Sequence, residues 1–195
     1  MVHLETFYLI LKMSFSNFPL SPEIKSALAN LKFREPFPIQ IEGIPVILEG
    51  KDILGIAKTG SGKTATYVLP ILHLLKLQPS RKTRMVSALI LVPTRELCAQ
   101  VQNFVHEVST FLMPPVKSLA VFGGVSINPQ MKALFGVEIL VATPGRLLEL
   151  VDVKAVDLSQ VKMLVLDEAD KLLNPGFKVE LSKILALLPN KRQTC

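Results

Sequence analysis

Five short aliphatic runs limit what this chain can fold into. They are Asp52–Ile56, Ser87–Val92, Lys117–Phe122, Glu138–Ala142 and Met163–Leu166. Several are nearly continuous in Leu, Ile and Val, as strands covered on both faces tend to be. Stretches of helical period flank and separate them: Pro22–Leu31, Ile39–Leu48, Lys63 to about Leu75, Arg95 to about Leu112, Asn128–Leu134, Arg146–Val151 and Phe177–Leu188. In the fourth of these, Leu97, Val101, Val105, Val108 and Leu112 fall on one stripe. Ser21-Pro22 supplies an N-cap and a first helical residue, and Pro70 predicts a kink. Alternation of this kind implies right-handed crossovers, hence an α/β fold with a central parallel sheet and helices on both faces. In such sheets ligands sit beyond the C-terminal ends of the strands.

At 195 residues the chain is the size of one domain. Hydrophobic residues make up 49%, which excludes a disordered chain. The net charge of +6 favours an anionic partner, either nucleic acid or a phosphate-bearing ligand. Two cysteines, Cys98 and Cys195, without CxxC spacing, fit a reducing compartment and no disulfide or zinc framework. The expected location is therefore cytoplasmic, with nucleus or nucleolus open to a eukaryotic protein. No apolar run approaches the roughly 18 residues that span a membrane. The opening MVHLETFYLILK carries Glu5 in place of a basic lead and has no small-residue cleavage site, so it reads as neither signal peptide nor anchor. Residues 1–12 are expected to be an upstream extension, with Met13 an alternative start.

Ala57-Lys58-Thr59-Gly60-Ser61-Gly62-Lys63-Thr64 lies between the first predicted strand and a predicted helix. In that context a glycine-rich loop cradles phosphates, because backbone N–H groups converge and the helix N-terminus adds its dipole. Lys63 would reach the outer phosphates and the Thr64 hydroxyl would take a magnesium ion. The generic GxxxxGK[ST] pattern is met except at its first position, Ala57.

Asp167-Glu168-Ala169-Asp170 follows the last predicted strand and crowds three carboxylates into four residues. Such crowding is costly unless a cation offsets it. Magnesium held by Asp167 opposite Thr64, with Lys63 nearby, supplies that charge. Glu168 is then free to orient and deprotonate a water attacking the terminal phosphate. A strand that ends in an acidic, solvated helix start is the plainer reading of the stretch alone; the phosphate loop tips the balance toward phosphate chemistry.

With these two motifs the chain resembles the DEAD-box family of ATP-dependent RNA helicases, from about Phe15 to the end. Alanine commonly opens the phosphate loop in that family. Phe33-Arg34-Glu35-Pro36-Phe37-Pro38-Ile39-Gln40 resembles its adenine-reading Q motif, with Phe15 at the place of the isolated upstream aromatic. Pro93-Thr94-Arg95-Glu96-Leu97 resembles motif Ia, Gly123-Gly124 the GG motif, and Thr143-Pro144-Gly145-Arg146 motif Ib. The resemblance implies a RecA-like P-loop NTPase domain, with ATP and Mg2+ as cofactors. Gln40 would pair with the adenine edge, and Phe15 or Phe33 would cover the base. Catalysis would fall to Lys63, Asp167 and Glu168. Pro93, Thr94, Arg95, Gly123, Gly124, Thr143, Pro144, Gly145 and Arg146 would meet RNA through its backbone, independently of sequence. Core packing remains open for the phenylalanines, and helix-end salt bridging for Arg95 and Arg146. Asp170 would couple to a further motif rather than bind metal.

The implied organisation is an extension at 1–12, a Q-motif region at 13–41 and a first RecA-like domain at 42–195. The family's Ser-Ala-Thr motif and its second RecA-like domain, a partner in the complete protein, do not occur before Cys195. The chain is thus expected to be a fragment or a truncated product, with weak ATP binding and little unwinding alone. A nucleotide-gated RNA clamp that does not unwind is an alternative. A P-loop GTPase or small-molecule kinase is a third reading. Asn190-Lys191-Arg192-Gln193 superficially resembles a guanine-reading NKxD, but Gln193 cannot supply the carboxylate.

Overall fold

The computed structural model describes residues 13–78 and 85–195; the expected extension at 1–12 lies outside them. After a 3-10 turn at Phe15–Asn17 come α1 (Pro22–Asn30) and α2 (Pro38–Leu48). The Ser21 hydroxyl accepts from the Ile24 N–H, capping α1 as its residue type predicts. There follow α3 (Lys63–Lys76), β1 (Ala88–Leu91), α4 (Arg95–Ser109), β2 (Ser118–Val121), α5 (Ile127–Ala133), β3 (Ile139–Ala142), α6 (Pro144–Asp152), β4 (Met163–Leu166), the single turn α7 (Ala169–Leu172), α8 (Pro175–Leu187) and β5 (Gln193–Thr194). Helix α3 runs on through Pro70.

The five strands form one sheet in the order β2-β3-β1-β4-β5, and every pairing is parallel. Strand β1 is central and wholly buried. Its side chains alternate between two cores, as the period of two in a strand requires. Ala88 and Ile90 join Ile139, Val141 and Val165 in a core against α1, α2, α3 and α4. Leu89 and Leu91 join Leu140, Ala142 and Leu164 against α6 and α8. Helices therefore cover both faces, as the alternation of runs implied. The α4 stripe packs as predicted, with Val101, Val105 and Val108 buried and Leu112 buried just past the helix end.

One predicted strand is absent from the ladder. Asp52–Ile56 is joined to the sheet only through Ile53, whose N–H donates to the Thr194 carbonyl at 3.1 Å, and Asp52, whose Oδ1 accepts from the Thr194 N–H at 2.7 Å. The segment thus meets β5 at Thr194 alone among the described residues, and one partner residue does not make a ladder. Leu54 and Ile56 are left 82% and 87% exposed.

Register aligns the strand ends. Leu91 lies opposite both Ala142 and Leu166, and Val121 lies opposite Ala142. The residues that follow β1, β2, β3 and β4 thus emerge along one edge of the sheet. No helix among the described residues is long and apolar enough to cross a membrane.

Candidate nucleotide site and nucleic-acid interface

The loop 57–62 turns from the extended segment at 52–56 into α3. Gly62 caps that helix at φ +85°, a left-handed conformation that glycine adopts without penalty. A Cβ on Gly62 would also stand 2.3 Å from Gln40 Nε2 and 2.9 Å from the Phe37 ring. Lys63 curls back over the loop, and its ammonium donates to the carbonyls of Ala57 at 2.5 Å and Lys58 at 2.9 Å. Among the described residues no hydrogen bond engages the N–H of Thr59, Gly60 or Gly62, and the buried Ser61 hydroxyl has no partner. Unspent donors around a lysine are a cradle for an anion.

Gln40 ties the preceding segment to this loop. It is 1% exposed; its Oε1 accepts from the Phe37 N–H at 2.9 Å, and its Nε2 donates to the Gly62 carbonyl at 3.1 Å. Each amide group keeps capacity for one more hydrogen bond. The aromatic residues divide. Phe15 is 4% exposed and its ring packs on Phe18 and edge-on to Phe33, so it supports Phe33 from the core and has no open face. Phe33 also contacts Phe104 and remains half-buried. Phe37, to which the sequence reading gave no role, is 50% exposed at the rim beside Gly62.

Asp167 ends β4 on the opposite side of the same cleft, whose volume is about 600 Å³. Its Oδ1 accepts from the Glu168 N–H at 3.0 Å, and its Oδ2 accepts from the Tyr67 hydroxyl at 2.8 Å. Tyr67 lies one turn into α3, so one buried phenol links Asp167 to the helix that opens with Lys63 and Thr64. Burial and the Asp167 charge hold that phenol well above its ordinary pKa, so it remains a donor. Among the described residues no group of three or more His, Cys, Asp or Glu could cage a metal. One carboxylate with one hydroxyl nevertheless suits magnesium, which takes few protein ligands and completes its shell with waters and phosphate oxygens.

Glu168 occupies a left-handed conformation, φ 54° and ψ 47°, uncommon for a residue with a Cβ and typical of functional turns. Its carboxylate pairs with Lys171 at 2.9 Å. Lys171 is thereby raised above its usual pKa, by its hydrogen bond to Glu168 first. Asp170 is exposed at the mouth of the cleft.

The other predicted residues gather along the far part of the sheet edge. Thr94 caps α4, accepting from the Leu97 N–H at 3.2 Å. Arg95 is exposed and pairs with Glu96 at 2.6 Å, an ion pair of the weak, exchangeable surface kind. Gly123 and Gly124 are exposed, and a Cβ on Gly124 would lie 4.0 Å from an Arg95 nitrogen. Pro93 and Pro144 are buried, Thr143 and Gly145 are half-buried, and Gly145 faces Glu180. Arg146 is 6% exposed: it donates from Nε to Glu149 and from Nη2 to the Val125 carbonyl, both at 2.8 Å. Its guanidinium is thus committed within the protein, in line with the salt-bridging role left open for it. Gln193 donates to the carbonyls of Ile47 and Lys51 and belongs to β5, so the run at 190–193 is not a base reader.

Comparison with known proteins agrees with this arrangement. The sequence profile of the DEAD/DEAH box helicases matches residues 37–195. The chain is 46% identical over 176 residues to "ATP-dependent RNA helicase DBP2" of Encephalitozoon cuniculi, covering 89% of this chain and 35% of that protein. It is 43% identical over 181 residues to "DEAD-box ATP-dependent RNA helicase 30" of Arabidopsis thaliana, covering 92% and 30%. It therefore spans about a third of the length of the curated relatives it matches. Among solved structures, a DEAD box protein from Methanococcus jannaschii superposes with a TM-score of 0.84 at 36% identity, covering 93% of this chain and 48% of that one.

Proposed function

The chain belongs to the DEAD/DEAH box helicase family, and on that premise we propose that it is the ATP- and RNA-binding first domain of an ATP-dependent RNA helicase. ATP enters the cleft between the phosphate loop and the end of β4. Lys63 leaves the Ala57 and Lys58 carbonyls for the outer phosphates, and the free N–H groups of the loop hold the remaining oxygens. Gln40 uses its spare amide capacity on the adenine edge, with Phe33 and Phe37 as the aromatic surfaces nearby. Asp167 and Thr64 would hold a magnesium ion, which would supply positive charge to the phosphates. Glu168 swings from Lys171 to orient the attacking water. RNA lies along the far edge of the sheet, over Thr94, Arg95, Gly123, Gly124 and Thr143. A second RecA-like domain completes both sites in the whole protein, with Asp170 facing it, and the cytoplasm is the expected location.

The observation that carries this reading is the Tyr67 phenol, which joins Asp167 to the turn that bears Lys63 and Thr64. The test is Glu168→Gln in the full-length protein. ATP binding is expected to persist while turnover falls by about 100-fold or more. Unchanged hydrolysis would remove Glu168 from the role of base. Retained RNA binding and hydrolysis without strand displacement by the unaltered protein would favour the clamp reading.

A further inference from the structure

We infer that Gln130 and Arg146 are positioning residues that aim the backbone N–H groups of Gly123 and Ser126 outward to meet an RNA phosphodiester. This rests on the RNA-binding reading above. Gln130 Nε2 donates to the Phe122 carbonyl at 3.1 Å, and Arg146 Nη2 donates to the Val125 carbonyl at 2.8 Å. These carbonyls bracket the di-glycine loop. The sole cis peptide among the described residues is Met113-Pro114, so the peptides at 122–123 and 125–126 are trans. In a trans peptide the C=O and N–H point in opposite directions. Pinning the Phe122 carbonyl onto Gln130 therefore turns the Gly123 N–H away from Gln130, and pinning the Val125 carbonyl onto Arg146 does the same for Ser126.

Four further observations support a site built for this purpose. Gly123 and Ser126 are exposed, and no hydrogen bond among the described residues takes either N–H. Gly124 between them is left-handed at φ +81°, which lets the two pinned planes sit close together. Both pinning side chains hold their places at a cost, for Gln130 Oε1 and Arg146 Nη1 are buried without a partner. Gln130 sits on α5, a helix with no buried residue, so the fold itself does not demand an amide there.

The test is a double-mutant cycle on the full-length protein loaded with a non-hydrolysable ATP analogue, read as affinity for a fluorescein-labelled oligouridylate. Gln130→Met is expected to weaken RNA binding by about three- to tenfold, with ATP-analogue affinity and melting temperature unchanged. Gln130→Asn keeps the amide but is one methylene too short, and should lose as much. In a Gly124→Ala background, where the loop is already misplaced, Gln130→Met should cost nothing further. Equal RNA affinity in wild type and Gln130→Met, or full additivity in the cycle, would overturn the inference alone. So would a loss that takes melting temperature and nucleotide affinity down together, since that would assign Gln130 to the fold. No RNA binding by the unaltered full-length protein would overturn the RNA-binding reading itself.

Discussion

The Tyr67 hydroxyl donates to Asp167 Oδ2 at 2.8 Å, across a separation of 100 residues in sequence. Both groups are buried, at 6% and 8% exposure. A buried carboxylate keeps its charge at low cost only when donors face it. The Glu168 N–H and the Tyr67 phenol do so, leaving Asp167 fixed in one orientation at the end of β4. Tyr67→Phe removes one donor without changing shape. It should lower unfolding stability by about 1–3 kcal/mol, read from urea melts at neutral pH. Unchanged stability would mean that Asp167 does not depend on this contact.

Gly62 is constrained twice, by its left-handed backbone and by the close approach of Gln40 and Phe37. Gly62→Ala should cost more than about 1 kcal/mol of stability. It should also displace the Gln40 amide and weaken binding of a fluorescent ATP analogue. Equilibrium titration of the variant checks this, with native-like affinity as the contrary result.

His73 supplies a pH dependence. Its Nδ1 accepts from the Ser21 N–H at 3.1 Å, and burial holds its pKa below the ordinary value. The unfolded chain takes up this proton near pH 6.5 while the folded chain resists until lower pH. Stability is therefore full above about pH 6.5 and is lost as pH falls from there through the folded pKa. His73→Gln, which still offers an acceptor to Ser21, should flatten that part of a stability-against-pH curve. An unchanged slope between pH 6.5 and 5 would contradict it.

Much of this architecture was legible because the signals are local. Alternating aliphatic runs and helical stripes specify a parallel sheet covered on both faces, and the Lys63 and Asp167 motifs name their own chemistry. What was not legible depended on distant partners. Asp52–Ile56 has the composition of a strand, but a strand is defined by its neighbour, and this segment meets β5 only at Thr194. For Phe15 the sequence left base contact and core packing both open, and only the fold shows Phe18 and Phe33 packed around it. For Arg146 it left RNA contact and salt bridging both open, and only the fold brings Glu149 and the Val125 carbonyl to it. Tyr67 belongs to no motif in the sequence, and only the fold brings its phenol to Asp167.

The proposed function requires Gln40, the phosphate loop and Asp167 to form one adenine-nucleotide site. Its most direct test is competition of ATP and GTP, each with magnesium, for the site occupied by a fluorescent ATP analogue on this chain. Saturable displacement by ATP, much weaker displacement by GTP and no analogue binding by Lys63→Ala are expected. Equal displacement by both nucleotides, or undiminished binding by Lys63→Ala, would contradict it.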